Sequence, residues 1–252
     1  MASPFALIPA HNEILTVRQV VEETIPLVDK VIVVDDGSTD GTAGSLSSTG
    51  ATVLRHEINL GKGDRLVEGF QSALDKGATA VIVLDADMQH DPADIPKFLA
   101  QHQDNPLAIV MGDRSADMEN MPGSRRKGIK FGNFFIGWAC GRRIKDAQCG
   151  MRLYPAAALK RLDIPRRHIG GFKFETAALL YAAEKGIPFE YVPLKARYEG
   201  FVLRPSHFDP LRDFMRLFGL VTEFLLLRGL RPMGFLKALG LIDQKHNRGE
   251  TK

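Results

Sequence analysis

Val31-Ile32-Val33-Val34-Asp35-Asp36-Gly37-Ser38-Thr39-Asp40 and Ala80-Val81-Ile82-Val83-Leu84-Asp85-Ala86-Asp87-Met88-Gln89-His90 each run from a wholly apolar stretch directly into carboxylates. Short apolar runs bounded by polar loops are the pattern of strands buried on both faces, as the strands of a parallel sheet are. In an open α/β sheet, ligands sit outside the carboxyl ends of the strands. Two aspartates separated by one residue at that edge can share a divalent cation with a diphosphate. Taken alone, residues 36–41 also suit a plain turn, because Asp, Gly, Ser and Thr are turn residues. Asp85 and Asp87 decide the reading, since two carboxylates ending a buried strand need a metal or a paired cation.

Outward from these stretches, strand and helix patterns alternate. Phe5 to Ile8, Ala51 to Leu54 and Leu107 to Met111 read as further strands. Ile14, Val17, Val21 and Ile25 mark one face of a helix, and Leu66, Phe70, Ala73 and Leu74 mark another that Gly77 ends. Asp91-Pro92 supplies an N-cap and a first-turn proline for a helix to about His102. The expectation is an α/β fold with a mostly parallel sheet flanked by helices. Past Gly112 the pattern is irregular: Met121-Pro122-Gly123 marks a loop, Lys127 to Trp138, Pro155 to Leu162 and Thr176 to Lys185 read as helices, and Phe189 to Leu194 as one more strand.

The bulk properties exclude several classes. A chain of 252 residues with 44% hydrophobic and 25% charged residues can bury a full core, and a net charge of +3 is too small to point to nucleic acid. Cys140 and Cys149 lack metal-type spacing and suit reduced thiols in a cytosolic protein. Met1-Ala2-Ser3-Pro4 leads into a strand without the features of a signal peptide, and the longest apolar stretch, Leu217 to Leu227, is too short to span a bilayer. The expected location is cytoplasmic. A dinucleotide-binding dehydrogenase would carry glycines after its first strand, where Pro9-Ala10-His11-Asn12-Glu13 stands instead, and no P-loop occurs.

Five segments occur in a telling order: Ile8-Pro9-Ala10-His11-Asn12-Glu13, Val33-Val34-Asp35-Asp36-Gly37-Ser38-Thr39-Asp40-Gly41-Thr42, Asn59-Leu60-Gly61-Lys62-Gly63, Leu84-Asp85-Ala86-Asp87 and Gln148-Cys149-Gly150-Met151-Arg152. Over roughly residues 5–200 the chain resembles family 2 glycosyltransferases with the GT-A fold, especially the dolichyl-phosphate mannose synthase-like branch. The resemblance implies that Pro9, Ala10, Asn12 and Glu13 line the base and ribose of a nucleotide sugar. It implies further that Asp36 accepts hydrogen bonds from base or ribose, that Lys62 lies near the nucleotide, and that Asp85-Ala86-Asp87 forms the D-x-D site with Gln89 also facing the metal. All-oxygen ligands suit Mg or Mn, whose task would be to neutralise the departing diphosphate. Arg152 is a candidate second positive charge on a phosphate, with a buried ion pair as its alternative. Glu175 stands where the family often places an acidic catalytic residue, and equally where a helix dipole favours a first-turn carboxylate. A hydroxyl acceptor needs such a base and a phosphate acceptor needs none.

From about Leu211, Arg212, Arg216, Gly219 and Glu223 form one narrow stripe on an otherwise apolar helix. Such a helix either packs against the domain or lies in a membrane interface, where Arg204, Arg228, Arg231 and Lys237 would meet headgroups. The expected organisation is a GT-A domain over 1–205 and a helical extension over 206–252. The expected activity is inverting transfer from a UDP- or GDP-sugar to a lipid-linked acceptor such as polyprenyl phosphate at the cytoplasmic membrane face. The alternatives are transfer to a hydroxyl of a glycan or small acceptor and, in another class, a non-catalytic nucleotide-sugar binder or a sugar nucleotidyltransferase.

Overall fold

The structure, a computed structural model, describes residues 3–116, 123–195 and 210–242. Strands β1 (Pro4–Ala10), β2 (Lys30–Asp35), β3 (Thr52–Arg55) and β4 (Ala80–Val83) pair in parallel, with β1 between β2 and β4. The chain adds β3 outside β2 and then returns to the other side of β1, so the strand order reverses between β1 and β4. That is the switch point at which an open α/β sheet forms its ligand crevice. Strands β5 (Ile109–Asp113), β6 (Arg152–Pro155) and β7 (Phe189–Pro193) complete a seven-stranded sheet in the order β3-β2-β1-β4-β6-β5-β7. Strand β6 runs antiparallel to both β4 and β5, while β5 and β7 are parallel.

Alternation along each strand assigns the two faces. Phe5, Leu7, Ile32, Val34, Val81 and Val83 enter one core, and Ala6, Ile8, Val31, Val33, Ile82 and Leu84 the other. Helices α1 (Val17–Thr24) and α3 (Ile95–Asp104) cover the second face. Helices α2 (Lys62–Asp75), α4 (Gly123–Cys140) and α6 (Lys173–Glu184) cover the first. Asp91 accepts from the Ala93 N–H and caps a 3₁₀ turn that leads into α3, one turn later than the sequence suggests. The helix expected over 155–162 is a single turn, α5 (Ala156–Leu159), because Pro155 closes β6.

Helix α7 (Pro210–Leu226) and the short α8 (Pro232–Ala238) follow. The boundary expected at 205 and Arg204 both lie outside the described residues. Leu220, Val221, Phe224 and Leu225 are buried and join the core of the first face, so one side of α7 packs against the domain. The other side stays in solvent: Phe214, Met215, Leu226 and Leu227 are 44%, 56%, 65% and 69% exposed. Burial and exposure, posed as alternatives for this helix, are divided between its two sides. Arg228 is held by Glu184 at 2.6 Å and lies over the Phe224 ring, and Arg231 donates to the Ala139 carbonyl, so both serve the packing of this segment.

Candidate active site

The reversal between β1 and β4 brings three loop starts together: Ala10-His11-Asn12-Glu13 after β1, Asp35-Asp36 at the end of β2, and Leu84-Asp85-Ala86-Asp87 after β4. Asn12 adopts φ 56°, and its side-chain oxygen accepts from the Thr39 N–H at 2.9 Å while its own N–H donates to the Ser38 hydroxyl. This latch fastens the first loop to the second. Glu13 is fixed through its N–H, which donates to Thr42 at 2.8 Å. The side chains of Ala10 and Ala86 are buried in the core of the second face, which leaves only their backbone for a ligand. Pro9 is half-buried beside them.

Lys62 opens α2 directly after Gly61. Its ammonium lies 2.6 Å from Asp85 Oδ1 and 2.8 Å from Glu175 Oε1, so a single cation bridges the strand β4 loop and the first turn of α6. Burial works against the Lys62 charge, but the two carboxylates outweigh it and raise its pKa. The same ammonium, with His90 and Arg114, holds Asp85 well below the usual carboxylate range despite its burial. Asp87 goes the other way: burial, then the charges of Asp85 and Glu13, push its carboxyl up. Its Oδ1 accepts from the Gln89 N–H at 3.0 Å, and Met88, at φ 63°, turns into the core so that Gln89 faces outward.

Two glycines make this approach possible. A Cβ on Gly150 would lie 2.3 Å from Asp85 Oδ2, and one on Gly63 would lie 1.9 Å from the Ile169 carbonyl oxygen. The Gln148-Cys149-Gly150 segment therefore walls the aspartate, and the loop before α6 packs on the start of α2. The Gly63 N–H donates to the Gly171 carbonyl at 3.0 Å.

Two expected ligand residues are engaged elsewhere. The Asp36 carboxylate is buried and accepts from the N–H groups of Leu60 and Gly61 and from Arg65 Nε at 2.7 Å, so three of its hydrogen bonds serve the protein, where the expectation had it serve a base or ribose. It builds the loop that carries Lys62. Arg152, 1% exposed on β6, donates to the carbonyls of Ala147, Cys149 and Glu175, clamping the Gln148 segment to α6 instead of pointing a charge at a phosphate. Tyr154 is a further hydrogen-bond partner, and the charge of Glu175 acts on the guanidinium without a direct ion pair between the two side chains among the described residues. Glu175 is brought to the site, but Oε1 holds Lys62 and Oε2 is buried without a hydrogen-bond partner among the described residues.

The sequence reading passed over Arg114 and His90. Arg114 follows the end of β5, bound to Asp146 at 2.8 Å, and its charge acts on Asp85 and His90. The rule that singled out Asp85, a charged residue at the carboxyl end of an apolar strand, would have found it. His90 is buried with Nδ1 3.7 Å from Asp85 Oδ2, and burial drives its pKa down to about 4.

The donor chemistry fits a divalent cation. Asp85, Asp87 and Gln89 offer oxygen ligands, and the charges of Glu13 and Asp85 bear on Asp87 against that of Lys62. Among the described residues no three His, Cys, Asp or Glu side chains converge as a ready cage. Mg-type sites are built this way, with one or two carboxylates completed by substrate phosphates and water.

The glycosyl transferase family 2 profile matches residues 5–163. The chain belongs to this family. It is 30% identical over 201 residues to an undecaprenyl-phosphate mannosyltransferase of Micrococcus luteus, covering 75% of this chain and 81% of that protein. It is 28% identical over 220 residues to a UDP-N-acetylglucosamine--dolichyl-phosphate N-acetylglucosaminyltransferase of Methanococcus voltae, covering 77% and 85%. Among solved structures it superposes on glucosyl-3-phosphoglycerate synthase from Mycobacterium tuberculosis in complex with Mn2+, UDP-glucose and phosphoglyceric acid, with TM-score 0.65, 21% identity and coverage of 90% of this chain and 79% of that one. The fold is therefore GT-A.

Asp36→Ala leaves the buried Arg65 guanidinium short of its closest carboxylate and frees the 59–62 loop. Removing one member of a buried pair costs about 3–5 kcal/mol. Equilibrium denaturation should show a loss of that size, and a loss below about 1 kcal/mol would contradict the assignment of Asp36 to the scaffold.

Proposed function

We propose that this glycosyltransferase moves a sugar from a UDP- or GDP-sugar to a polyprenyl phosphate, with inversion and with Mg or Mn. The observation that carries this reading is the excess of carboxylate at the switch point, where Asp85 and Asp87 stand beside the single ammonium of Lys62. Asp85, Asp87 and Gln89 would hold the cation, which when bound neutralises charge on the departing diphosphate. Lys62 stands where it can meet the same diphosphate. The base and ribose are assigned to Pro9, the backbone of Ala10 and Ala86, Asn12 and Glu13.

In the transfer, an acceptor phosphate oxygen forms the new bond to the anomeric carbon from the face opposite the nucleotide. The bond to the donor diphosphate breaks with its electron pair and leaves a nucleoside diphosphate. An anionic phosphate brings no proton to remove. This favours it over a glycan hydroxyl, because Glu175 is engaged by Lys62 through Oε1 and its Oε2 is buried from solvent. The acceptor class of the dolichyl- and undecaprenyl-phosphate relatives points the same way.

A lipid-linked acceptor must be met at a membrane, and no described helix is long and apolar enough to cross one. The outer side of α7 offers a peripheral contact. Phe131, Phe135, Phe218 and Phe214 stack in succession across α4 and α7, and Lys127, Lys130, Arg212 and Arg216 are exposed on the same two helices. Apolar area and anionic-lipid attraction would act together there.

Two measurements test these statements. Labelled UDP- and GDP-sugars incubated with polyprenyl phosphate and Mn2+ should give a lipid-soluble sugar phosphodiester, lost in Asp87→Ala; transfer to polyprenol or a glycan but not to the phosphate would overturn the acceptor. Co-sedimentation with vesicles should require anionic lipid, weaken with salt, and be lost in a Met215→Glu, Leu226→Glu variant, both positions being exposed and outside the core. Unchanged binding by that variant would overturn the surface.

A further inference from the structure

Glu175 is in the wrong arrangement for a base and in the right one for a different task. Its Oε1 lies 2.8 Å from Lys62 Nζ, and its Oε2 is buried from solvent without a hydrogen-bond partner among the described residues. Its backbone carbonyl is pinned by Arg152 NH1 at 2.8 Å, which fixes the first turn of α6. Opposite it, the start of α2 is pressed on the same loop through Gly63 and the Gly171 carbonyl. Two helix starts are thus held rigidly facing each other, with the Lys62 ammonium spanning the gap.

Lys62 has a second carboxylate, Asp85, at 2.6 Å. On the reading that Asp85 belongs to the donor site, its Oδ1 cannot serve the ammonium and a divalent cation equally. When the donor complex is bound, Lys62 gives up Asp85 and keeps Glu175. We propose that Glu175 is a positioning residue that anchors Lys62 beside the donor diphosphate. The role is distinct from holding the metal and from proton transfer, since Oε1 is engaged by Lys62 and Oε2 is buried from solvent. Without it, the lysine stem is free to swing toward water, and the diphosphate loses a held positive charge. Hydrogen bonds between charged groups carry enough energy for a loss of roughly tenfold or more in nucleotide affinity.

The test is a double-mutant cycle on the full chain, read by calorimetric titration of UDP and GDP in the presence of Mn2+. If Glu175 acts through Lys62, Glu175→Gln and Lys62→Met each weaken nucleotide binding by about tenfold or more. The double variant is then no weaker than Lys62→Met alone, because the anchor has nothing left to hold. Glu175→Asp, which keeps the charge on a shorter stem, should recover part of the affinity. The assignment is overturned if the two losses multiply, or if Glu175→Gln binds nucleotide normally while turnover falls about 10²- to 10⁴-fold as for a lost base. Circular dichroism of each variant identifies misfolding, and Glu175→Asp carries the cycle if Glu175→Gln does not fold. An Asp87→Ala control separates the two readings: nucleotide and Mn2+ binding unchanged in that variant overturns the donor site, whereas additivity in the cycle overturns only the role of Glu175.

Discussion

The Lys62 ammonium, held between Asp85 and Glu175, is the contact around which the site is organised. With Arg114 and His90 it sets positive charge against the carboxylates that gather at the reversal of the strand order. A buried carboxylate without a counter-charge would be driven to its neutral form. Asp85, beside the ammonium, is held below the usual carboxylate range, and Asp87 is pushed the other way by burial and by the charges of Asp85 and Glu13. The site is therefore asymmetric. One aspartate is satisfied by the protein, and the other is short of positive charge.

Much of the surrounding sequence serves to place that lysine. Asp36 spends both oxygens on Leu60, Gly61 and Arg65, and so shapes the turn from which Lys62 projects. Gly63 lets the loop before α6 come within contact of α2, and Gly150 lets the chain pass against the Asp85 carboxylate. Arg152 fastens that passing segment to the first turn of α6 by donating to carbonyls on both. Motifs that lie far apart in the chain are thus parts of one mount. Their common function is to fix distances between charges in a place where water cannot readily compensate for error.

The sheet and its carboxylate-bearing edge were legible because strands buried on both faces and carboxylates at their ends leave a local pattern. The runs before Asp35 and Asp85 became β2 and β4, and Leu66, Phe70 and Ala73 line the buried side of α2 as their spacing requires. Strand β6 was hidden. It has only four residues, begins with an arginine and ends in a proline, and the arginine is buried on carbonyls of the preceding loop and of Glu175. The role of Asp36 was hidden for the same reason, since Arg65 reaches it across 29 residues. Helix α7 misled in a third way: a wide apolar surface does not say which part packs, and only the docking on α4 and α6 separates Phe224 from Leu226.

A crystal structure of the protein with Mn2+ and UDP or GDP, with the metal located by its anomalous signal, tests this account most directly. The account predicts a metal peak on the Asp85 and Asp87 carboxylates and the nucleotide diphosphate, with Lys62 withdrawn from Asp85 and still paired with Glu175. A metal bound away from Asp87, or Lys62 still on Asp85 with Glu175 released, would contradict it.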